Sequence, residues 1–253
     1  MKINHNYFLI IISFSLITIK TDVFSTLAVA FPNAGFNHIL MTKRSVSTSG
    51  SITTSIESEN DDVEIWTSQI WFDGENNQSD MYMGADGNTP VWGAFRFRIP
   101  TAIPAGATIT SANFSVYGTD TYYWVNNEDY LHVLVNDSND APQVTAVGDE
   151  PGGASGYYFT SSPGATSGGA NVIVRWPTAG TLTWNSGGSL NIGPDVSSLI
   201  QFLVNKYGGL TANSHIQFWI YSQVYRPSGP EVKLADYGHP TLSAPMLIVN
   251  WTK

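Results

Sequence analysis

The sequence predicts an all-β chain: an antiparallel, jelly-roll-like β-sandwich with one amphipathic helix at about residues 195–207. Three observations predict it. Hydrophobic residues make up 42% of the 253-residue chain and aromatics 13%, but charged residues only 12%. That is about half the usual charged share. It argues against coiled coils and long solvated helices, and leaves enough apolar material for a core. Short runs of period-two alternation recur from residue 63 onward, separated by segments rich in Gly, Pro and Ser, which is how strands and tight turns are punctuated. One segment near residue 200 switches cleanly to the helical period.

The first forty residues are a different material. Lys2 precedes an apolar run from Tyr7 to Ile19, and Ala28-Val29-Ala30 forms an A-x-A cleavage pattern. The run is short of the roughly 20 residues that cross a bilayer, and suits the core of a signal peptide. Residues 1–40 are therefore read as a signal peptide, or else as an anchoring or spuriously translated segment with the true start at Met41. Residues 41–62 read as a flexible Ser/Thr-rich leader. Residues 63–253 read as a single sandwich domain with no membrane span.

Within that domain, Val63–Phe72 alternates over part of its length. Val91–Ile99 places Phe95, Phe97 and Ile99 on one face and Arg96 and Arg98 on the other, the pattern of a half-buried strand with a polar exterior. Pro104 and Gly106 punctuate a turn. Thr108–Tyr117 then sets Ala112, Phe114 and Val116 against Asn113, Ser115 and Tyr117. Further strands are expected at Leu131–Val135, Asn171–Trp176, Thr181–Trp184, His215–Val224 and Met246–Trp251. The helix is expected over Asp195–Tyr207, where Val196, Leu199, Ile200, Leu203, Val204 and Tyr207 form one apolar stripe. Asp195 is its expected N-cap and Gly208-Gly209 its left-handed stop.

Several of these pieces, taken in order, resemble the DNRLRE-type β-sandwich domain, a relative of the jelly-roll carbohydrate-binding modules. Asp80-Met81-Tyr82-Met83-Gly84 resembles that family's opening strand, and Phe95-Arg96-Phe97-Arg98-Ile99-Pro100 the strand that follows. Ile103–Ala112 resembles its turn and strand, and Leu182-Thr183-Trp184-Asn185 its Thr-Trp signature. Asp195–Gln201 resembles its helix and Ala244–Val249 its closing strand. The chain departs from the family at Tyr207-Gly208-Gly209-Leu210, where an Asn-Gly loop is usual. The resemblance covers most of residues 73–253. It implies a non-catalytic extracellular module of adhesion, surface structure or polysaccharide attachment, with relatives in phage-like virion proteins.

Composition narrows the chemistry. The net charge of −9 and the lack of a basic patch oppose nucleic-acid binding. With no cysteine there is neither a disulfide framework nor a thiol nucleophile. His132 and His215 fall inside expected strands and read as satisfied core or edge residues. No H-E-x-x-H, G-x-S-x-G or phosphate-binding glycine loop occurs. A glycosidase needs two carboxylates across one bond, but the acids fall almost wholly in turns. The chain is therefore expected not to be an enzyme.

Two acid-rich stretches suit a structural Ca2+, which takes clustered oxygen ligands: Asp73 and Glu75 with Asp80, and Asp137 with Asp140. Plain Asx turns are the alternative. Tyr122, Tyr123 and Trp124, with Trp92, Tyr157 and Tyr158, are the candidate glycan- or partner-binding aromatics, because sugar rings stack on exposed aromatic faces. Burial in the core or at a subunit contact is the other possibility for them. The remaining tryptophans, Trp66 among them, are assigned to the core or its rim. The expected function is a non-enzymatic structural or adhesive module that attaches to polysaccharide or to copies of itself. The expected location is secreted or at the cell surface, or at a virion surface if translation starts at Met41. A dedicated carbohydrate-binding module is the alternative, and a polysaccharide-cleaving enzyme the third reading.

Overall fold

The computed structural model describes residues 47–66, 69–72, 80–86, 89–122, 130–146, 174–177, 183–222 and 231–253. The strands are β1 (Ser49–Ser55), β2 (Asp62–Trp66), β3 (Gln69–Phe72), β4 (Asp80–Asp86), β5 (Thr89–Arg98) and β6 (Thr108–Tyr122). They continue with β7 (Leu131–Val135), β8 (Val174–Trp176), β9 (Ser189–Asp195), β10 (His215–Ser222), β11 (Glu231–Ala235) and β12 (Met246–Thr252). The one helix among the described residues, α1, runs Ser197–Tyr207.

The chain is an all-β antiparallel sandwich. In one layer the order is β1-β12-β6-β11-β4, with β9 on the other edge of β6. In the second layer β3 pairs with β2, β2 with β5, β5 with β10, β10 with β7 and β7 with β8. β5 belongs to both. Thr89–Val91 pairs with β4, and the remainder pairs with β2 and β10.

Alternation fills the space between the layers. Phe114 of β6 meets Phe95 of β5, Phe218 of β10 and Trp176 of β8 at ring-centroid distances of 6.0, 6.0 and 5.3 Å. Met81, Met83, Val116, Val232, Leu234, Leu247 and Val249 complete this core from the first layer, and Phe97, Leu131, Val133, Ile216 and Ile220 from the second. Each such side chain stabilises the fold by about 1.5–3 kcal/mol through burial.

The second layer is covered on its outer face as well. Val63, Ile65, Trp92, Ala94, Leu134, Val144, Trp219 and Tyr221 form a second buried cluster there. The polar exterior expected for β5 is thus confined to its last residues. Arg98 is half-buried and bonds Glu57, whereas Arg96 donates to Asp61 at 2.6 Å and to the Ala141 carbonyl at 2.8 Å.

Three strands extend the expected set: β1, β9 and β11. The Ser/Thr-rich stretch expected as a leader to residue 62 enters the sheet at Ser49. There it pairs with β12 from Ser49↔Thr252 to Ser55↔Met246 and buries Ile52 and Ile56. Val63–Phe72 holds two strands, β2 and β3, that pair with each other. Thr183–Asn185, at the end of an expected strand, is irregular. Trp184 is buried there and donates to the Asp120 carbonyl, while Asn191 exchanges bonds with both backbone groups of Asn185. This segment crosses β6 at Gly118, where a Cβ would lie 2.2 Å from the Asn185 carbonyl oxygen.

The N-cap of the helix lies one residue later than expected. Val196 holds the N-cap position without a side-chain bond, and Asp195 lies one residue before it. The Asp195 carboxylate accepts from the Ser197 and Ala112 N–H groups, so it ties the helix to β6 while covering one free donor. Gln201 accepts from Ile109 N–H and donates to the Ala107 carbonyl, which fixes the helix over the start of β6. Gly208 (φ 69°) and Gly209 (φ 104°) end it. A Cβ on Gly209 would lie 2.7 Å from the Ile103 carbonyl oxygen, against which Leu210 makes an isolated bridge.

Candidate functional site

Two surface features carry more chemistry than a plain sandwich needs. The first lies where β4 and β11 pair. Register places Tyr82 opposite Lys233 and Asp80 opposite Ala235. Tyr82 and Trp66, at the end of β2, meet edge to face with centroids 6.3 Å apart, and both are half-exposed. Lys233 Nζ sits 5.2 Å from the Tyr82 ring centroid and 3.0 Å from the Asp80 carboxylate. Burial works to lower the Lys233 pKa, but Asp80 and the Tyr82 hydroxyl outweigh it, and the pKa is raised. His239 Nε2 lies 3.8 Å from Asp80. Tyr237, 46% exposed, stands on the turn after β11, and its N–H donates to Asp62.

Beneath this patch, Glu64 is buried against the junction of the layers. It accepts from the Tyr82 N–H and from Trp66 Nε1. Burial pushes its pKa from 4.5 up to about 7, against the pull of those two donors and of Lys233. The patch therefore holds two aromatic rings in fixed orientation, with charged and neutral hydrogen-bonding groups at their edges.

The second feature is a chain of ring contacts on the outer face of the second layer. Trp219 meets Trp92 edge to face, Trp92 stacks on Tyr221 at 4.3 Å, and Tyr221 meets His132 edge to face at 5.2 Å. His132 Nδ1 lies 3.0 Å from the Tyr221 hydroxyl. Beyond it come Tyr130, with its centroid 5.0 Å from His132, and Arg175, whose guanidinium carbon is 3.6 Å above the Tyr130 ring centroid. Burial, followed by the Arg175 charge, drives the His132 pKa from 6.5 down to about 4. The chain of rings is sealed at Trp219 and Trp92, which are 1% and 3% exposed, and half-open at Tyr130 and Arg175.

The predicted site residues are distributed as follows. Trp92 lies in the second cluster with its ring stacked on Tyr221, so it offers no open face for a sugar; covering of the outer sheet face is what changes its role. Tyr122 ends β6, opposite Glu231. Tyr123, Trp124, Tyr157 and Tyr158 lie outside the described residues, as do Asp73 and Glu75. Asp80 pairs with Lys233. Asp137 pairs with Lys206 and accepts from the Tyr207 hydroxyl, and Asp140 accepts from the His215 N–H with the ring Nδ1 at 2.8 Å. A hard cation needs several such oxygens converging on it. Asp137 and Asp140 are each engaged by a side chain of a different element, Lys206 of α1 and His215 of β10. Among the described residues no group of three or more His, Asp or Glu is placed to hold a metal.

Sequence reasoning passed over Trp66, Tyr82, Lys233, Tyr130 and Arg175 as binding residues. Trp66 and Tyr82 belong to strands that are not adjacent in sequence. A strand's own alternation identifies its outer face but not which neighbour shares it. No helix among the described residues is long and apolar enough to cross a membrane. Comparisons with protein-family models, with curated proteins and with solved structures find no match to this chain.

Proposed function

We propose that this chain is a non-enzymatic structural or adhesive module, secreted and displayed on a cell or virion surface, that attaches to polysaccharide. The observation that carries the reading is the half-exposed Trp66–Tyr82 pair, with Lys233 against the Tyr82 ring and paired to Asp80. Aromatic planes beside fixed donors and acceptors suit a sugar, which has an apolar ring face and a polar rim. The resemblance of the motif order to the DNRLRE-type domain points the same way. A glycan array tests it. Wild-type protein should retain one polysaccharide class, and Trp66→Ala or Tyr82→Ala should weaken that binding about tenfold or more, since aromatic anchors dominate such contacts. Binding unchanged in both variants would remove the platform. Release of reducing ends from any polysaccharide would overturn the non-enzymatic assignment.

Attachment to copies of itself is the second reading, and a separate observation favours it. Leu190, Ile192 and Ile248 are 44%, 58% and 38% exposed. Ile192 and Ile248 belong to β9 and β12, which flank β6. Exposed apolar side chains grouped on one sheet face suit a protein contact. Sedimentation at rising concentration tests this reading, and a protein that stays monomeric excludes it.

A further inference from the structure

We propose that Arg175 and Tyr130 form a second site, which takes the carboxylate of an acidic saccharide. This goes beyond the sugar platform at Trp66 and Tyr82, and rests on the polysaccharide reading only for the body of the ligand. In this acidic chain the other strand and helix cations are spent internally. Arg96 faces Asp61, Arg98 faces Glu57, Lys206 faces Asp137 and Lys233 faces Asp80. Arg175 faces no carboxylate among the described residues, and its Nε is buried without a hydrogen-bond partner. A guanidinium in that state is unusual, because buried donors are almost always satisfied.

Its position is set by stacking on Tyr130 and by the β7–β8 register, which puts Arg175 opposite His132. Tyr130 holds the guanidinium from one side while its Nε lacks a hydrogen-bond partner, and a planar carboxylate matches a guanidinium fork with two parallel bonds. The histidine beside it does not compete for the anion. His132 is neutral at physiological pH and is occupied with Tyr221. The rest of the ring chain is buried and rigid behind Tyr130, so little ordering is needed on binding. The net charge of −9 repels a polyanion at long range, but salt at about 0.15 M screens that field beyond about 8 Å and leaves the local contact to decide. The site therefore suits one carboxylate at a time on a sugar ring that lies against the half-exposed tyrosine.

The test uses the full chain with polygalacturonate and with the same polymer after reduction of its carboxyl groups to alcohols. Wild type should bind the native polymer about tenfold to a hundredfold more tightly than the reduced one, the range of a charge-assisted hydrogen-bonded contact. Arg175→Ala should abolish that difference, and Arg175→Lys, which keeps the charge but loses the fork, should restore only part of it. Because a variant can misfold, wild type is also titrated with sodium glucuronate and with glucose while the Tyr130 and His132 ring resonances are followed. Glucuronate should shift them and glucose should not. Equal binding of native and reduced polymer, no shift with glucuronate, or an acidic peptide that displaces glucuronate at lower concentration than oligogalacturonate does would each overturn the proposal. Polymer binding that depends on Trp66 but ignores carboxyl reduction leaves the platform standing and removes this site. Glucuronate shifts together with carboxyl-dependent polymer binding that Trp66→Ala leaves unchanged do the reverse.

Discussion

Asp61 shows how one side chain settles the environment of another. Arg96 lies on the outer face of β5 between buried neighbours. Asp61 accepts from its guanidinium through the carboxylate and from its N–H through the carbonyl, and the pair is nearly closed to water, with side-chain exposures of 12% and 8%. Removing one partner of such a pair strands the other charge. Asp61→Ala is expected to cost about 3 kcal/mol, read as a fall in the urea midpoint. Arg98, one step further along the same face, bonds Glu57 in an exposed setting, and Glu57→Ala is expected to change the midpoint little. Alternation in the sequence put the two arginines on one face. It could not tell them apart, because Arg96 is also engaged by the Ala141 carbonyl, far along the chain, whereas the partners of Arg98 are the surface side chains of Glu57 and Asn213.

At the scale of elements, β1 is the instructive case. Its residues are mostly Ser and Thr, which hide the period-two signal. Ile52, Thr54 and Ile56 nevertheless point inward and β12 provides a full ladder. A chain beginning at Glu57 uncovers the edge of β12 and removes two buried isoleucines. It is expected to lose about 3–6 kcal/mol relative to one beginning at Thr48, on the cost of burying two such side chains, and to aggregate through the bared edge. Thermal melting with light scattering checks both, and equal melting of the two chains contradicts the account. β9 and β11 were hidden for related reasons. β9 contains Gly193 and Pro194, and β11 has only five residues. The helix was legible because its apolar stripe and its two stopping glycines are local signals.

For the molecule as a whole, two buried ionisable groups act against each other. Glu64 is held at about pKa 7, above its ordinary 4.5. The folded state resists its ionisation, so stability is unaffected below about pH 4.5 and falls as pH rises through 7. His132 is held at about pKa 4, below its ordinary 6.5. The unfolded chain takes up its proton first, so stability falls as pH drops from 6.5 towards 4. Over the shared interval from about 4.5 to 6.5 the two slopes have opposite sign and offset. Glu64→Gln is expected to leave stability rising with pH across that interval, and His132→Gln to leave it falling. Urea midpoints measured at pH 4.5, 5.5 and 6.5 for both variants and wild type check this. Parallel curves would show that the groups do not control pH dependence.

The sequence by itself determined the class of fold, most of the strands, the helix, and the inward residues of the core, because alternation and the helical stripe are properties of consecutive residues. Tertiary structure decided the surface. Whether Trp92 is an open ring or a buried one depends on what covers the outer sheet face, and that covering comes from residues distant in the chain. The pairing of Trp66 with Tyr82, of Lys233 with Asp80, and of Arg175 with Tyr130 arises only when β2 meets β4, β4 meets β11 and β7 meets β8. Burial and proximity between strands are set by register and layer packing, and no stretch of sequence read on its own contains them.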